Sequence, residues 1–108
     1  MIDREPRAPR GIVVPPPELP PFRYRRDEQG HIVVTGDVDM SSAAAFRPVL
    51  LASTDPIVLD LSGVTFMDSA GVTLLLQART VRPVRIAAAS PQVARLLELL
   101  GLTELLSS

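Results

Sequence analysis

The stretch IVLDLSGVTFMDSAGVTLLLQART, residues 57–80, places a strand pattern and a helix pattern next to each other with almost no loop between them. IVLDLSGV is apolar at nearly every position, with Asp60 as the exception, which is typical of a strand buried on both faces. From Val72 onward apolar residues recur at helical spacing, which predicts a helix over residues 69–80. A strand followed at once by a helix is the repeating unit of α/β folds.

Before this stretch, the sequence predicts a hairpin and a helix. FRYRRDE and HIVVTG are two short extended runs joined by a turn at Gly30. GDVDM then ends the second run, and SSAAAFRPVLLAS has the composition of a helix. Ser41 or Ser42 is its expected N-cap. Pro48 lies inside the pattern, so the helix either begins late or kinks there.

After residue 80, Pro83 ends the helical pattern and VRIAAA predicts another short buried strand. Ser90–Pro91 is a strong helix start, because a hydroxyl cap precedes proline at the first helical position. The helix face that follows ends at Gly101, and LTELL forms a last short element. The order is β, β, α, β, α, β, α.

This order predicts an α/β domain with a central mixed sheet of four to five strands, parallel inside, and with helices mainly on one face. The domain is expected to span residues 22–108. Residues 1–21 hold seven of the eleven prolines, including PPPELPP, and are expected to form an extended, flexible tail. This segment reads either as a low-complexity tail or as a ligand for an aromatic-lined groove.

The composition excludes several classes of function. The net charge of −1 leaves no basic surface for nucleic acid, and the chain has no cysteine and one histidine, His31, so disulfides and Cys- or His-rich metal sites are excluded. No apolar run reaches the roughly 18 residues of a membrane span. P-loop and G-x-G-x-x-G motifs are absent. We therefore expect a cytoplasmic protein that needs no cofactor or metal.

The corner Asp68–Ser69, between the strand and the helix, does not meet the requirements of a catalytic serine site. A nucleophilic serine needs a base, and the only histidine, His31, lies at the hairpin turn, where a side chain is usually exposed. M-D-S-A-G also fails to match G-x-S-x-G. Asp60 and Asp68 as paired carboxylates or metal ligands lack a third ligand at motif spacing. Asp37 and Asp39 are more consistent with docking or loop roles. We do not expect an enzyme.

The same corner suits a regulatory phosphate. Asp68, Ser69 or both would cap the helix, and loss of the cap in Ser69→Ala would cost about 0.5–2 kcal/mol. The small residues Ala70 and Gly71 leave the hydroxyl accessible to another protein. Free N–H groups and the helix dipole favour a dianion at a helix start. Ser69 is therefore expected to be a phosphorylation site on a protein-docking surface.

Three segments resemble one protein family. IVLDLSGVTFMDSAGVTLLL is similar to the core of STAS domains, particularly of bacterial anti-sigma factor antagonists. GDVD (residues 36–39) matches the family's second short signature, and SPQVARLLELLGL resembles its third helix. The resemblance runs from about Phe22 to Leu106. Ala70 and Thr73 stand where the family most often has Ser and Gly.

The resemblance implies a partner-switching function. Ser69 would be phosphorylated by an anti-sigma factor that is also an ATP-dependent serine kinase, and a PP2C-type phosphatase would restore it. The unphosphorylated form would bind the kinase and free the sigma factor. Asp39 is expected to lie beside Ser69 in a loop, where substitution changes stability little. The implied docking surface comprises Asp39, Asp68, Ser69, Ala70, Gly71 and Val72.

The alternative reading is a STAS subunit or scaffold of a larger signalling or lipid-transport complex. In that case Ser69 would cap a helix and never be phosphorylated.

Overall fold

The computed structural model of the chain describes residues 21–106, so the predicted tail lies outside the described residues except for Pro21. Within this range four strands and three helices alternate after an initial hairpin, and a short 3₁₀ turn follows the last helix. The elements are β1 (Arg23–Arg26), β2 (Ile32–Val38), α1 (Met40–Leu50), β3 (Ile57–Met67), α2 (Ser69–Val81), β4 (Val84–Ala89), α3 (Pro91–Leu99) and the 3₁₀ turn Thr103–Leu105.

The four strands form one mixed sheet in the order β1-β2-β3-β4. β1 pairs with β2 antiparallel, as expected for a hairpin, and β2, β3 and β4 are mutually parallel. This confirms the predicted α/β class with parallel inner strands. Because the inner strands are parallel, the carboxyl ends of β2 and β3 lie at the same edge of the sheet.

One face of the sheet is covered by the helices and the other is open. Along β3, Ile57, Leu59 and Leu61 are buried, whereas Asp60 is half-buried and Ser62 is exposed. The prediction that this strand is buried on both faces is therefore wrong. The strand alternates because the parallel crossovers advance in one direction across the sheet, and right-handed crossovers then place their helices on the same side.

The core lies between the covered face and the helices. Its largest fully buried side chains come from the sheet and from the helices: Ile32, Val34, Leu50, Leu59, Leu61, Val64, Ile86, Val93 and Leu97. α1 begins at Met40 rather than late, and Pro48 lies in its last turn. Near the end of a helix, the missing N–H and the ring of proline disturb few intrahelical hydrogen bonds.

Arg82, at the end of α2, is a buried charge that sequence analysis did not single out. Its side chain is 6% exposed. Its Nε donates to the carbonyl oxygen of Asp55 at 2.5 Å, and its Nη1 donates to that of Leu50 at 3.1 Å. The guanidinium thus ties the end of α1 and the loop before β3 to the end of α2.

Candidate functional site

The carboxyl ends of β2 and β3 bring the two short sequence signatures together. Val38 pairs with Met67 as the last residue of each strand, and the backbone N–H of Asp68 donates to the carbonyl oxygen of Val38 at 3.2 Å. Asp39 follows β2 directly and Asp68 follows β3, so both carboxylates stand at the starts of adjacent helices. GDVD and MDSAG therefore share one edge of the sheet.

Asp68, not Ser69, caps α2. Its Oδ1 accepts hydrogen bonds from the backbone N–H of Ala70 at 2.8 Å and of Gly71 at 3.3 Å. Ser69 is the first helical residue and is exposed. Its hydroxyl makes no hydrogen bond with any other group of residues 21–106. The prediction that Ser69→Ala removes a helix cap is therefore wrong, since that substitution leaves the Asp68 cap in place.

Asp39 caps α1 through a reciprocal pair of hydrogen bonds. Its Oδ1 accepts from the backbone N–H of Ser42 at 2.9 Å, and the Ser42 hydroxyl accepts from the backbone N–H of Asp39 at 2.8 Å. The Ser42 hydroxyl also donates to Oδ1 of Asp39 at 3.1 Å. The two hydrogen bonds that the carboxylate accepts, first from the Ser42 backbone N–H and then from the Ser42 hydroxyl, lower the pKa of Asp39. The prediction of Ser41 or Ser42 as N-cap is wrong, because both are already helical. Asp39 is a structural cap and not a free loop residue.

Replacing Asp39 with alanine should therefore destabilise the domain, contrary to the expectation of little change. A lost N-cap is expected to lower the unfolding temperature by about 4–8 °C. Asp39→Asn keeps an acceptor for the Ser42 N–H and should lower it far less. The measurement is thermal unfolding of both variants by circular dichroism. Equal unfolding temperatures for Asp39→Ala and the unsubstituted protein would contradict the capping role.

Asp37 is a third carboxyl group at this edge, and its burial disfavours the ionised form. Its Oδ1 is buried without a hydrogen-bond partner among the described residues. Burial, followed by the negative charges of Asp39 and Asp68, raises the pKa of Asp37 above 3.8. A desolvated carboxylate beside like charges favours the protonated form. The edge therefore combines three carboxyl groups next to the exposed hydroxyl of Ser69.

The raised pKa of Asp37 makes a testable prediction about stability. A group whose pKa is raised on folding stabilises the fold below its unfolded value and loses that contribution as the pH rises through the folded value. Asp37→Asn, which stays neutral, should therefore unfold at a higher temperature than the unsubstituted protein at pH 7. The difference should shrink towards about pH 4. Thermal unfolding at several pH values measures it, and a less stable Asp37→Asn at pH 7 would refute the assignment.

The geometry does not support serine catalysis or a metal centre in the described part of the chain. His31 precedes β2, whereas Ser69 lies beyond the other end of the adjacent strand, about 20 Å away at the usual rise per strand residue. His31 instead lies near Asp27, with 3.8 Å between Nδ1 and Oδ2. Within residues 21–106, no group of three or more His, Cys, Asp or Glu side chains is placed to hold a metal ion. None of the helices in that range is long and apolar enough to cross a membrane.

Comparison with known proteins identifies the fold and the family. Residues 22–107 match the family model described as Mlab, STAS domain. The chain belongs to the STAS domain family. The match begins at the hairpin and includes both sequence signatures and all three helices of this STAS domain. No curated protein gives a significant match to the sequence.

Solved structures similar to this STAS domain include two anti-sigma factor antagonists. The crystal structure of such an antagonist from Mycobacterium paratuberculosis matches with a TM-score of 0.64 and 23% identity, covering 85% of this chain and 86% of that chain. The structure of the antagonist SpoIIAA in its unphosphorylated form matches with a TM-score of 0.59 and 22% identity, covering 81% of this chain and 86% of that chain. At these identities the likeness is one of fold.

Two of the predicted docking residues of the STAS domain lie beneath its surface. Val72 is 5% exposed and packs in the core. A Cβ on Gly71 would lie 2.6 Å from Cγ of Met67 and 3.0 Å from Cγ1 of Val38, so this position holds the start of α2 close to the sheet. Their role in docking stays a prediction, and their observed contacts are with the core.

A groove between α1 and α2 adds to the surface around Ser69, and the sequence did not predict it. It has a volume of about 330 Å³ and contains Ser69 at one end. Met40, 74% exposed, stands at its mouth, and the far end is closed by a hydrogen bond from Nη1 of Arg47 to Oε1 of Gln77. Small side chains line the space between: Ala43, Ala44, Ala70 and Thr73. The spacing of the alanines along α1 was the available sequence signal.

Proposed function

We propose that this STAS domain is a phosphorylation-switched binding module of the anti-sigma factor antagonist type. It binds an anti-sigma factor with serine kinase activity when Ser69 is unphosphorylated and releases it when Ser69 carries a phosphate. The observation that carries the proposal is the exposed Ser69 hydroxyl at the start of α2, which has no hydrogen-bond partner within residues 21–106 because Asp68 already supplies the cap. Such a hydroxyl can enter a kinase active site without loss of any hydrogen bond among those residues.

The charges around Ser69 support release after phosphorylation. Phosphoserine carries about −1.5 to −2 charges at pH 7. It would stand beside Asp68, which already accepts hydrogen bonds from the first free N–H groups of α2. Asp39 and Asp37 lie at the same edge of the sheet. A partner surface that fits a neutral hydroxyl next to these carboxylates would meet a strongly more negative surface after modification, and binding would weaken.

The proposed docking surface consists of Asp39, Asp68, Ser69 and Ala70, extended by Met40. Gly71 and Val72 support it from below, because they fix α2 against the sheet. In this function the protein is a substrate and a binding partner rather than an enzyme, and the ATP is bound by the kinase. A PP2C-type phosphatase would return Ser69 to its unmodified form in the cytoplasm.

A second candidate function is a STAS subunit of a larger signalling or lipid-transport complex, in which Ser69 is never phosphorylated. The matching family model is described as Mlab, STAS domain, and not as an anti-sigma factor antagonist, so the family match is compatible with this candidate as well. The surface around Ser69 at the start of α2 would then be a permanent contact surface. The two candidates differ in the chemistry of Ser69 and not in the fold.

Phosphorylation assays separate the two functions. The full-length protein should be incubated with ATP and each anti-sigma factor kinase of the source organism, and the product analysed by intact and tandem mass spectrometry. We expect one added phosphoryl group, on Ser69. Ser69→Ala should remain unmodified, whereas Thr73→Ala, which removes a nearby exposed hydroxyl, should be modified like the unsubstituted protein. Modification at another residue, or none with every kinase, would reject the switch.

A further inference from the structure

Asp37 and Asp39 form a pair of carboxyl groups at the carboxyl end of β2. They are two positions apart, and Asp39 keeps an extended backbone, so their side chains lie on the same side of the chain. Both line a groove of about 300 Å³ that also contains Phe22 and Ser42. The two side chains are within hydrogen-bonding reach of each other. Since ionised carboxylates only accept hydrogen bonds, a bond between them requires one proton.

The surroundings of each carboxyl group decide which of the two holds that proton. Oδ1 of Asp39 accepts hydrogen bonds from the backbone N–H of Ser42 at 2.9 Å and from its hydroxyl at 3.1 Å, which favours the ionised form. Oδ1 of Asp37 is buried and has no hydrogen-bond partner among the described residues. Burial without a partner disfavours a charge. The proton therefore belongs on Asp37, which can donate it to Asp39.

The charges around Asp37 favour the same protonated form. The two charged groups that act on it, Asp39 and Asp68, are both negative. On β3 the residue opposite Asp37 is the uncharged Phe66. On β1, Arg23 pairs two residues earlier along β2 and is exposed, so water screens its charge. Helices α1 and α2 carry their basic residues in their last turns, at the opposite end from this edge.

We propose that the Asp37–Asp39 pair holds one proton in the folded domain and binds it more tightly when residue 69 carries a negative charge. Asp68 already acts on Asp37, and the side chain of residue 69 stands next to Asp68 at the same edge. The inference rests on the proposed function only for the origin of that charge, the phosphate on Ser69. Phosphorylation then brings a proton to Asp37, and the neutral carboxyl group reduces the repulsion that the phosphate meets.

Carbon-13 NMR of the aspartate carboxyl groups, recorded on the full-length protein from about pH 3 to about pH 8, tests the pair. Asp37 should titrate above 3.8, and the Asp39 carbon should show the same step, because a shared proton affects both groups. Asp39→Asn keeps an acceptor for the cap and should lower the midpoint of Asp37. Asp60 is the internal control, since hydrogen bonds from Ser62 lower its pKa and its midpoint should not change. An Asp37 midpoint at or below 3.8 would overturn the proposal.

Ser69→Asp and Ser69→Asn test the coupling without any kinase. The two side chains have nearly the same size and differ in charge. We expect the Asp37 midpoint to be about half a pH unit higher in Ser69→Asp than in Ser69→Asn, the size of shift that one solvent-screened charge near the pair produces. Equal midpoints would contradict the coupling and would leave the phosphorylation assay on Ser69 unaffected. Conversely, a failure of that assay would not change the midpoints measured here.

Discussion

If the proposed function holds, Ser69→Asp is expected to lower the affinity of the protein for the proposed anti-sigma factor kinase by about 100-fold, since like charges at an interface cost several kcal/mol. The aspartate would place a fourth carboxyl group beside those of Asp37, Asp39 and Asp68. Isothermal titration calorimetry with the purified proposed partner measures the change. The expected magnitude depends on the partner contacting this edge directly, as proposed from the exposure of Ser69.

The matched control is Ser69→Asn, which has nearly the size of the aspartate without its charge. Ser69→Asn and Ser69→Ala should bind the partner much more tightly than Ser69→Asp. All three variants should unfold close to the temperature of the unsubstituted protein, because the cap of α2 belongs to Asp68. If Asn and Asp weakened binding equally, size rather than charge would control docking, and the electrostatic explanation would fail.

Arg82→Met is expected to destabilise the domain by about 2–3 kcal/mol, since hydrogen bonds to charged groups contribute about 1.5–3 kcal/mol each. Methionine retains the apolar stem but leaves the carbonyl oxygens of Leu50 and Asp55 without their donor. Relief of the buried charge offsets part of this loss. The loss of two hydrogen bonds at once should outweigh that relief. Urea unfolding gives the free energy.

Two further arginine variants test whether the loss of stability comes from the two hydrogen bonds of Arg82. Arg82→Lys keeps the charge but cannot reproduce the two-directional geometry of the guanidinium, so it should be intermediate. Arg95→Met, at an exposed position of α3, should change the free energy of unfolding by no more than about 0.5 kcal/mol. An Arg82→Met variant as stable as Arg95→Met would show that the carbonyl oxygens of Leu50 and Asp55 find other donors.

The sequence predicted the elements well because their signals are local. The strand run before Asp68, the helical spacing after it and the Ser90–Pro91 start each depend on residues within one or two turns. Ser90 indeed caps α3, with its hydroxyl accepting from the N–H of Val93 at 3.3 Å. The sequence could not show that β3 is buried on one face only. That property depends on the handedness and direction of the two crossover connections, β2 to β3 and β3 to β4.

Caps and buried polar groups show where local reasoning ends. Asp39, Ser41 and Ser42 are all good N-cap residues, and the choice depends on which has an extended backbone; Asp39 has φ −102° and ψ −171°. Arg82 contacts residues 27 and 32 positions away in the sequence. No periodic pattern reports such a contact. The burial of the Asp37 Oδ1, which lacks a hydrogen-bond partner in the described part of the chain, likewise depends on the packing around the sheet edge.

The sequence indicated which residues lie at the candidate site, but not which of them are exposed and which are buried. Asp39 and Asp68 follow neighbouring parallel strands and therefore lie at the same end of the sheet, whereas the docking role of these residues stays a prediction. The division of residues 69–73 between surface and core follows from the rotation of a helix, which turns Ser69 and Thr73 outward and Val72 inward. Sequence proximity to Ser69 alone could not distinguish these directions.

The cap of α2 also has an evolutionary consequence. Because the hydroxyl of Ser69 bonds to nothing within the described domain, selection for stability acts on Asp68 and leaves position 69 almost free. A duplicated gene could lose or regain the modifiable residue through one codon change without an intermediate that folds poorly. Regulated and unregulated descendants of one ancestral domain would then be mutational neighbours, separated by a single neutral step in folding.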